Sequence, residues 1–233
     1  MRIVVAELRA GELAITGDEH HYLGRVRRAR IGDAIELVDG NGRRASAKIV
    51  GMTEGETRVE VGEPETVVEP RPHIRVLLPL IKGDRMDYAI EKLVEVGANE
   101  VIVWQAERSI VRLDPAKREA RVAHYAAVIE AAAKQSGRAT LPTVSFAELR
   151  HAIRALPEGE RFMLDPDGER AAPTGDDVTL ISGPEGGLAW LETEQLAGAG
   201  FIGMGLGSNT LRAETAPVVA VAVIRAIVLP VRP

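Results

Sequence analysis

The apolar pattern of this chain changes its period at 69–73, where "EPRPH" sets two prolines around Arg71. Each proline fixes its own φ and pushes its predecessor towards extended geometry, so the stretch reads as a linker. Upstream, the runs "RIVVAEL", "AIELVD", "RASAKIVGM" and "TRVEVGE" predict short strands, with "DGNG" at 39–42 as a hairpin turn and a single helix over 18–30. That set predicts a small β-barrel over 1–70. From Ile74 strands alternate with helices. The strand "IRVLLPL" precedes a helix over 84–96, with Met86, Ile90, Leu93 and Val94 at helical spacing and Gly97 as its cap. "EVIVW" is a strand, and the next helix is opened by Asp114 and Pro115 and closed by Gly137. A helix in "FAELRHAIRAL", strands in "RFMLD", "DVTLIS" and "FIGMG", and a last helix from Thr215 to Leu229 complete the pattern. The alternation predicts an α/β domain over 74–233 with a parallel sheet covered on both faces.

The last helix is apolar nearly all round, "PVVAVAVIRAIVL". A helix on the surface of a monomer normally shows a polar face, so this one is either central or covered by a second chain, and we read it as a subunit interface.

The absence of cysteine excludes disulfides, thiolate nucleophiles and cysteine-ligated metals. The five histidines are scattered apart from His20 and His21 and show no metal-binding spacing, so no metal is expected. The N-terminal apolar run is too short for a signal peptide, and none reaches the roughly 18 residues of a membrane span, so a cytoplasmic protein with no membrane partner is expected. Formal net charge is −5, yet 20–48 carries seven basic residues against three acidic ones. A local basic patch therefore sits on an acidic chain.

Two glycine-rich stretches follow strands, "SGPEGGLAW" at 182–190 and "GLGSNTLRAETA" at 205–216. Ligands of open α/β sheets sit beyond the carboxyl ends of the strands. The first stretch lacks the GK[ST] ending of a phosphate loop and has no serine between glycines as in a nucleophile elbow. In the second, glycines at 203, 205 and 207 do not fit GxGxxG. What remains is a pair of loops whose glycines let backbone approach a ligand closely, each loop with a carboxylate and one with an arginine.

"GPEGGL" followed by "LGSNTLRAETA" resembles the paired C-terminal motifs of the RsmE-type ribosomal RNA uridine-N3 methyltransferases of the SPOUT superfamily. "HHYLGRVRRARIGD" at 20–33, "KGDRMDYAIEKLVEVG" at 82–97, "ERSIV" at 107–111 and "AAKQSGR" at 132–138 extend the resemblance over nearly the whole chain. It implies a PUA-like β-barrel on a trefoil-knotted α/β domain, S-adenosylmethionine as cofactor, and a homodimer with the site near the interface. It implies cofactor contacts at Gly183, Glu185, Gly187, Leu206, Gly207, Leu211, Arg212 and Thr215, with Leu78 and Pro79 closing the pocket. It also implies small-subunit ribosomal RNA, naked or in the assembled subunit, as substrate. The chain departs from the family pattern at Ala189, where Ser or Thr would cap a helix, at Arg27 and at Thr210. The missing cap should cost about 1 kcal/mol.

Methyl transfer to N3 of uracil requires loss of the N3 proton and places negative charge on O2 and O4, which a fixed cation stabilises. We assign that role to Arg212, whose guanidinium stays charged and offers several donors, with Glu185 or Glu214 accepting the proton or orienting the arginine. Arg25, Arg27, Arg28 and Arg30 are assigned to RNA phosphates, with His21 as a hydrogen-bond donor. On composition alone the same arginines make a solvated helix face with Tyr22, Val26 and Ala29 turned inward. Two other readings stand beside this one. A ribose 2′-O-methyltransferase of the same superfamily would carry "SLN" where this chain has "LRAET", and a non-catalytic RNA-binding assembly protein would not need both loops intact.

Overall fold

The structure is a computed structural model that describes residues 1–228. The chain divides into two compact units. One comprises Met1–Glu69 with Ala133–Leu141, and the other Pro70–Ala132 with the chain from Pro142.

The first unit contains β1 (Arg2–Val4), β2 (Gly11–Thr16), α1 (Gly17–His21), β3 (Ala34–Val38), β4 (Arg43–Met52), β5 (Glu56–Val61) and β6 (Glu65–Thr66). They form one sheet in the order β1-β3-β4-β5-β2, with β6 added to β4. β4 and β5 alternate buried and exposed residues, and Ile49, Val59 and Leu37 join Ile3 and Leu23 in a single apolar cluster. Each such aliphatic side chain contributes about 1.5–3 kcal/mol by burial. The 39–42 turn forms as predicted, with Asp39 Oδ1 accepting from the N–H of Asn41 at 2.8 Å and of Arg43 at 3.0 Å. The predicted helix over 18–30 is much shorter. After α1 the chain makes one π-helical turn, Tyr22–Val26, and leaves it through Arg28 at φ 52. That turn buries Leu23 and brings Ala29 back to donate its N–H to the Leu23 carbonyl, while Val26, expected inside, is 66% exposed. Core packing of Leu23 and Ala29 outweighs the helical periodicity here.

The second unit contains β7 (His73–Pro79), α2 (Asp84–Glu95), β8 (Glu100–Trp104), α3 (Arg118–Ser136, whose last turn belongs to the first unit) and β9 (Thr143–Phe146). It continues with α4 (Leu149–Ala155), β10 (Glu160–Glu169), β11 (Asp177–Ile181), α5 (Trp190–Gly198), β12 (Ile202–Met204) and α6 (Ala216–Val228). Its sheet runs β12-β10-β11-β7-β8-β9, and every ladder is parallel, as the alternation predicted. Asp114 caps the turn that opens α3 by accepting from the Ala116 N–H at 3.0 Å. "FAELRHAIRAL" is split, because Phe146 ends β9 and the helix begins only at Leu149.

α6 packs on α2, β7, β10 and β11 through Ala220, Val221 and Ile224. Its buried Arg225 donates to the carbonyls of Gly97 and Pro70 and to Asn99 Oδ1. Val223, Ile227 and Val228 stay at least partly exposed, so α6 is neither wholly central nor polar on its open side. The predicted end of this helix at Leu229 lies outside the described residues.

Candidate active site

Because all strands of the second sheet are parallel, their carboxyl ends lie along one edge. Three segments meet at that edge: 164–168 within β10, 182–188 after β11 and 205–215 after β12. They enclose a cavity of about 620 Å³. The two glycine-rich stretches therefore line one site.

The glycines of these loops do different jobs. A Cβ on Gly183 would stand 2.9 Å from the Leu188 amide nitrogen, and one on Gly205 only 2.0 Å from the Gly168 carbonyl oxygen. Both positions are dictated by the chain's own backbone, where β10, paired in parallel with β12, shifts register between Leu164 and Glu169 and where the first loop folds on itself, and not by a ligand. Gly187 and Gly207 have open space at the Cβ position and line the cavity.

The first loop is held from outside. Glu192 of α5 accepts the Ala189 N–H on one carboxylate oxygen and the Glu107 N–H on the other, each at 2.8 Å. Arg108 donates to the carbonyls of Gly186 and Leu188, both at 3.2 Å. Ala189 has no side-chain acceptor, so half of the capping arrangement is missing, as the sequence implied, yet the loop is anchored by these four bonds.

Of the residues singled out in the sequence, Gly183, Glu185, Gly187, Leu206, Gly207, Leu211 and Arg212 line the cavity. Leu78 and Pro79 are buried in the ladder with β8, and Thr215, whose N–H bonds the Arg212 carbonyl, stands at the start of α6; none of the three lines it. Glu214 lies behind the lining, only 8% exposed at its side chain. Arg212 is 79% exposed, its guanidinium 3.8 Å from Glu214.

The structure adds residues the motifs did not indicate. Arg85, in the first turn of α2, lies 3.0 Å from Glu185 and 3.7 Å from Glu214. Asp165 and Pro166 line the cavity where β10 reaches the same edge. Their one legible signal was "LDPDG" following an apolar strand. Ser182 Oγ and Glu214 Oε2 are buried without a hydrogen-bond partner. Buried polar atoms are normally satisfied; Ser182 lines the cavity, so its hydroxyl marks a polar position that a bound molecule can complete, whereas the nearest cation to Glu214 Oε2 is Arg85, at 3.7 Å.

In the first unit, His21, Arg25, Arg27, Arg28 and Arg30 are all exposed. His20 is not: its ring bonds Thr57 Oγ1 at 2.9 Å and the Glu54 carbonyl at 3.2 Å, which makes it a structural residue. Two other arginines of this unit are paired, Arg44 with Glu65 at 2.6 Å and Arg58 with Glu12 at 3.6 Å. Among the described residues, none of the four arginines between 25 and 30 joins an ion pair; Arg27 stacks over Tyr22 at 5.8 Å. Also among the described residues, no cluster of three or more metal-ligating groups occurs, and no helix is long and apolar enough to cross a membrane.

Comparison with known proteins agrees with this architecture in both units. Residues 69–225 match the family described as RNA methyltransferase domain, and 15–61 match RNA methyltransferase PUA domain. The ribosomal RNA small subunit methyltransferase E of Mycobacterium tuberculosis is 34% identical over 217 residues, which is 88% of this chain and 83% of that protein. The Bacillus subtilis protein of the same name is 30% identical over 92% of this chain and 90% of its own. Among solved structures, ribosomal RNA small subunit methyltransferase E from Neisseria gonorrhoeae, bound to S-adenosyl methionine, superposes with a TM-score of 0.88 at 28% identity, covering 97% of this chain and 96% of that one. With both family models matched and relatives of 30–34% identity aligned along nearly its whole length, the chain belongs to the ribosomal RNA small subunit methyltransferase E family.

Proposed function

We propose that this protein transfers a methyl group from S-adenosylmethionine to N3 of a uridine in 16S ribosomal RNA. The observation that carries the reading is the single cavity at the carboxyl edge of the sheet, lined by both glycine-rich loops together with Glu185 and Arg212. Its volume of about 620 Å³ falls within the roughly 300–1,000 Å³ of small-molecule sites. Leu206, Leu211 and Met163 offer apolar surface for an adenine, and the orphaned Ser182 hydroxyl a polar contact. Three carboxylates, Asp165, Glu185 and Glu214, stand against two arginines, Arg85 and Arg212, a balance suited to a cationic ligand. When bound, S-adenosylmethionine supplies an electrophilic methyl group on a sulfonium.

The residues divide the work by position. Arg212, largely exposed at the rim, presents its donors to the uracil oxygens, where charge gathers as N3 attacks. Glu185 lines the cavity and accepts the N3 proton; Glu214, which does not line it, orients Arg212. Gly187 and Gly207 let the cofactor lie against backbone.

The finer features of the family belong to the same proposal. The C-terminal segment is tied in the SPOUT trefoil knot, a reading supported by the return of β11 to a place between β10 and β7. The protein is cytoplasmic and a homodimer, the dimer being supported by the exposed apolar residues of α6. The unit over 1–70 holds RNA phosphates through Arg25, Arg27, Arg28 and Arg30, supported by their freedom from ion pairs, and His21 donates to the RNA beside them. The domain over 74–233 carries the chemistry.

The test is a methyl-transfer assay with purified protein, S-adenosylmethionine and small ribosomal subunits lacking the modification, read by nucleoside mass spectrometry. N3-methyluridine is the expected product. A 2′-O-methylated nucleoside would move the chemistry to the ribose, and no product despite cofactor binding would remove the proposed substrate.

A further inference from the structure

Arg85 joins two loops that are far apart in sequence. One arm of its guanidinium lies 3.0 Å from Glu185 in the first loop, and the other 3.7 Å from Glu214 in the second. Glu214 in turn lies 3.8 Å from Arg212, so four side chains form a continuous line of alternating charge along one side of the cavity. Arg85 is the second residue of α2, whose N-cap is Gly83 with no side-chain cap. A helix N-terminus disfavours a cation, so the helix itself offers Arg85 no electrostatic reason to be there. Its two carboxylate partners do. Arg85 also lines the cavity, and its side chain is 38% exposed, which rules out a purely core role.

The geometry points to Arg85 as the positioning residue of the transfer reaction, a two-armed clamp that sets Glu185 and, through Glu214, Arg212 at fixed places around the uracil. This inference rests on the methyl-transfer reading above. It assigns Arg85 no contact with the base and no part in covalent chemistry. A planar guanidinium can serve two carboxylates at once, whereas an ammonium on a flexible stem is a single point charge. The clamp therefore depends on arginine's shape as well as its charge.

The test compares wild type, Arg85→Gln and Arg85→Lys in steady-state methyl transfer to small ribosomal subunits, with S-adenosylhomocysteine affinity measured separately by calorimetry and folding by thermal melting. For Arg85→Gln, kcat is expected to fall about 10²-fold, the scale of a misplaced reacting group. S-adenosylhomocysteine affinity and the KM for subunits should stay near wild type. Arg85→Lys should recover part of the loss, since it reaches one carboxylate at a time. Wild-type kcat in Arg85→Gln would overturn the clamp, as would a loss of S-adenosylhomocysteine affinity equal to the loss of kcat. If Arg85→Gln fails to fold, Arg85→Lys decides alone: a lowered kcat at unchanged affinity supports the clamp, and wild-type kcat overturns it. Absence of product from wild type is a different outcome, which sinks the methyl-transfer reading and not the clamp alone.

Discussion

Arg212 is the most exposed charged group of the site, and Glu214, two residues on, is among the least. The pairing explains how one short motif supplies both a donor that reaches outward and an anchor that holds it. Arg212→Ala is expected to lower turnover at saturating cofactor by about 10²-fold, as removal of one preorganised donor does elsewhere. Full turnover in that variant, with cofactor still bound, would take the role from Arg212. Both residues were legible in "LRAET" because they are neighbours in one motif. Arg85 was not, since nothing local marks an arginine in a helix's first turn as the partner of carboxylates far along the chain. The glycines carry a similar lesson. Their number announced tight loops, but only the irregular pairing of β10 with β12 shows that Gly205 is required by the carbonyl of Gly168.

The first loop is anchored although the start of α5 lacks a cap side chain, because Glu192 and Arg108 tie it to the segment around 107. Ala189 already has the extended backbone of an N-cap, φ −76 and ψ 155. Ala189→Ser should therefore let a hydroxyl accept the Glu192 N–H and stabilise the fold by about 0.5–1 kcal/mol, read as a raised thermal midpoint. A lowered midpoint would mean that this buried position cannot take the extra atom. Periodicity identified α2, which buries Met86, Ile90, Leu93 and Val94 on one face, while α3, mostly exposed, was legible from Asp114, Pro115 and Gly137 at its ends. It failed over 18–30, where burying Leu23 and Ala29 needs a π turn and a left-handed Arg28. It also missed β2, whose "GELAIT" is only partly buried.

The whole chain is acidic, with net charge −5, yet four arginines close in sequence in the first unit lack ion-pair partners among the described residues. If they neutralise RNA phosphates, affinity must fall steeply with salt, because each contact releases a counterion. Replacing Arg28 and Arg30 together by alanine should reduce the slope of log affinity against log salt by about 1–2, measured by filter binding to small-subunit RNA. An unchanged slope would place the phosphate contacts elsewhere. By itself, the sequence determined the parallel α/β class, the pair of glycine-rich loops and the family they resemble, because these depend on local period, turn chemistry and contiguous motifs. Tertiary structure decided what depends on distance. The strand order brings the ends of β10, β11 and β12 to one edge, which puts Asp165 beside both loops and lets Arg85 reach Glu185 and Glu214. It also shortens the helix over 18–30, because burial in the surrounding core outweighs what its own sequence prefers.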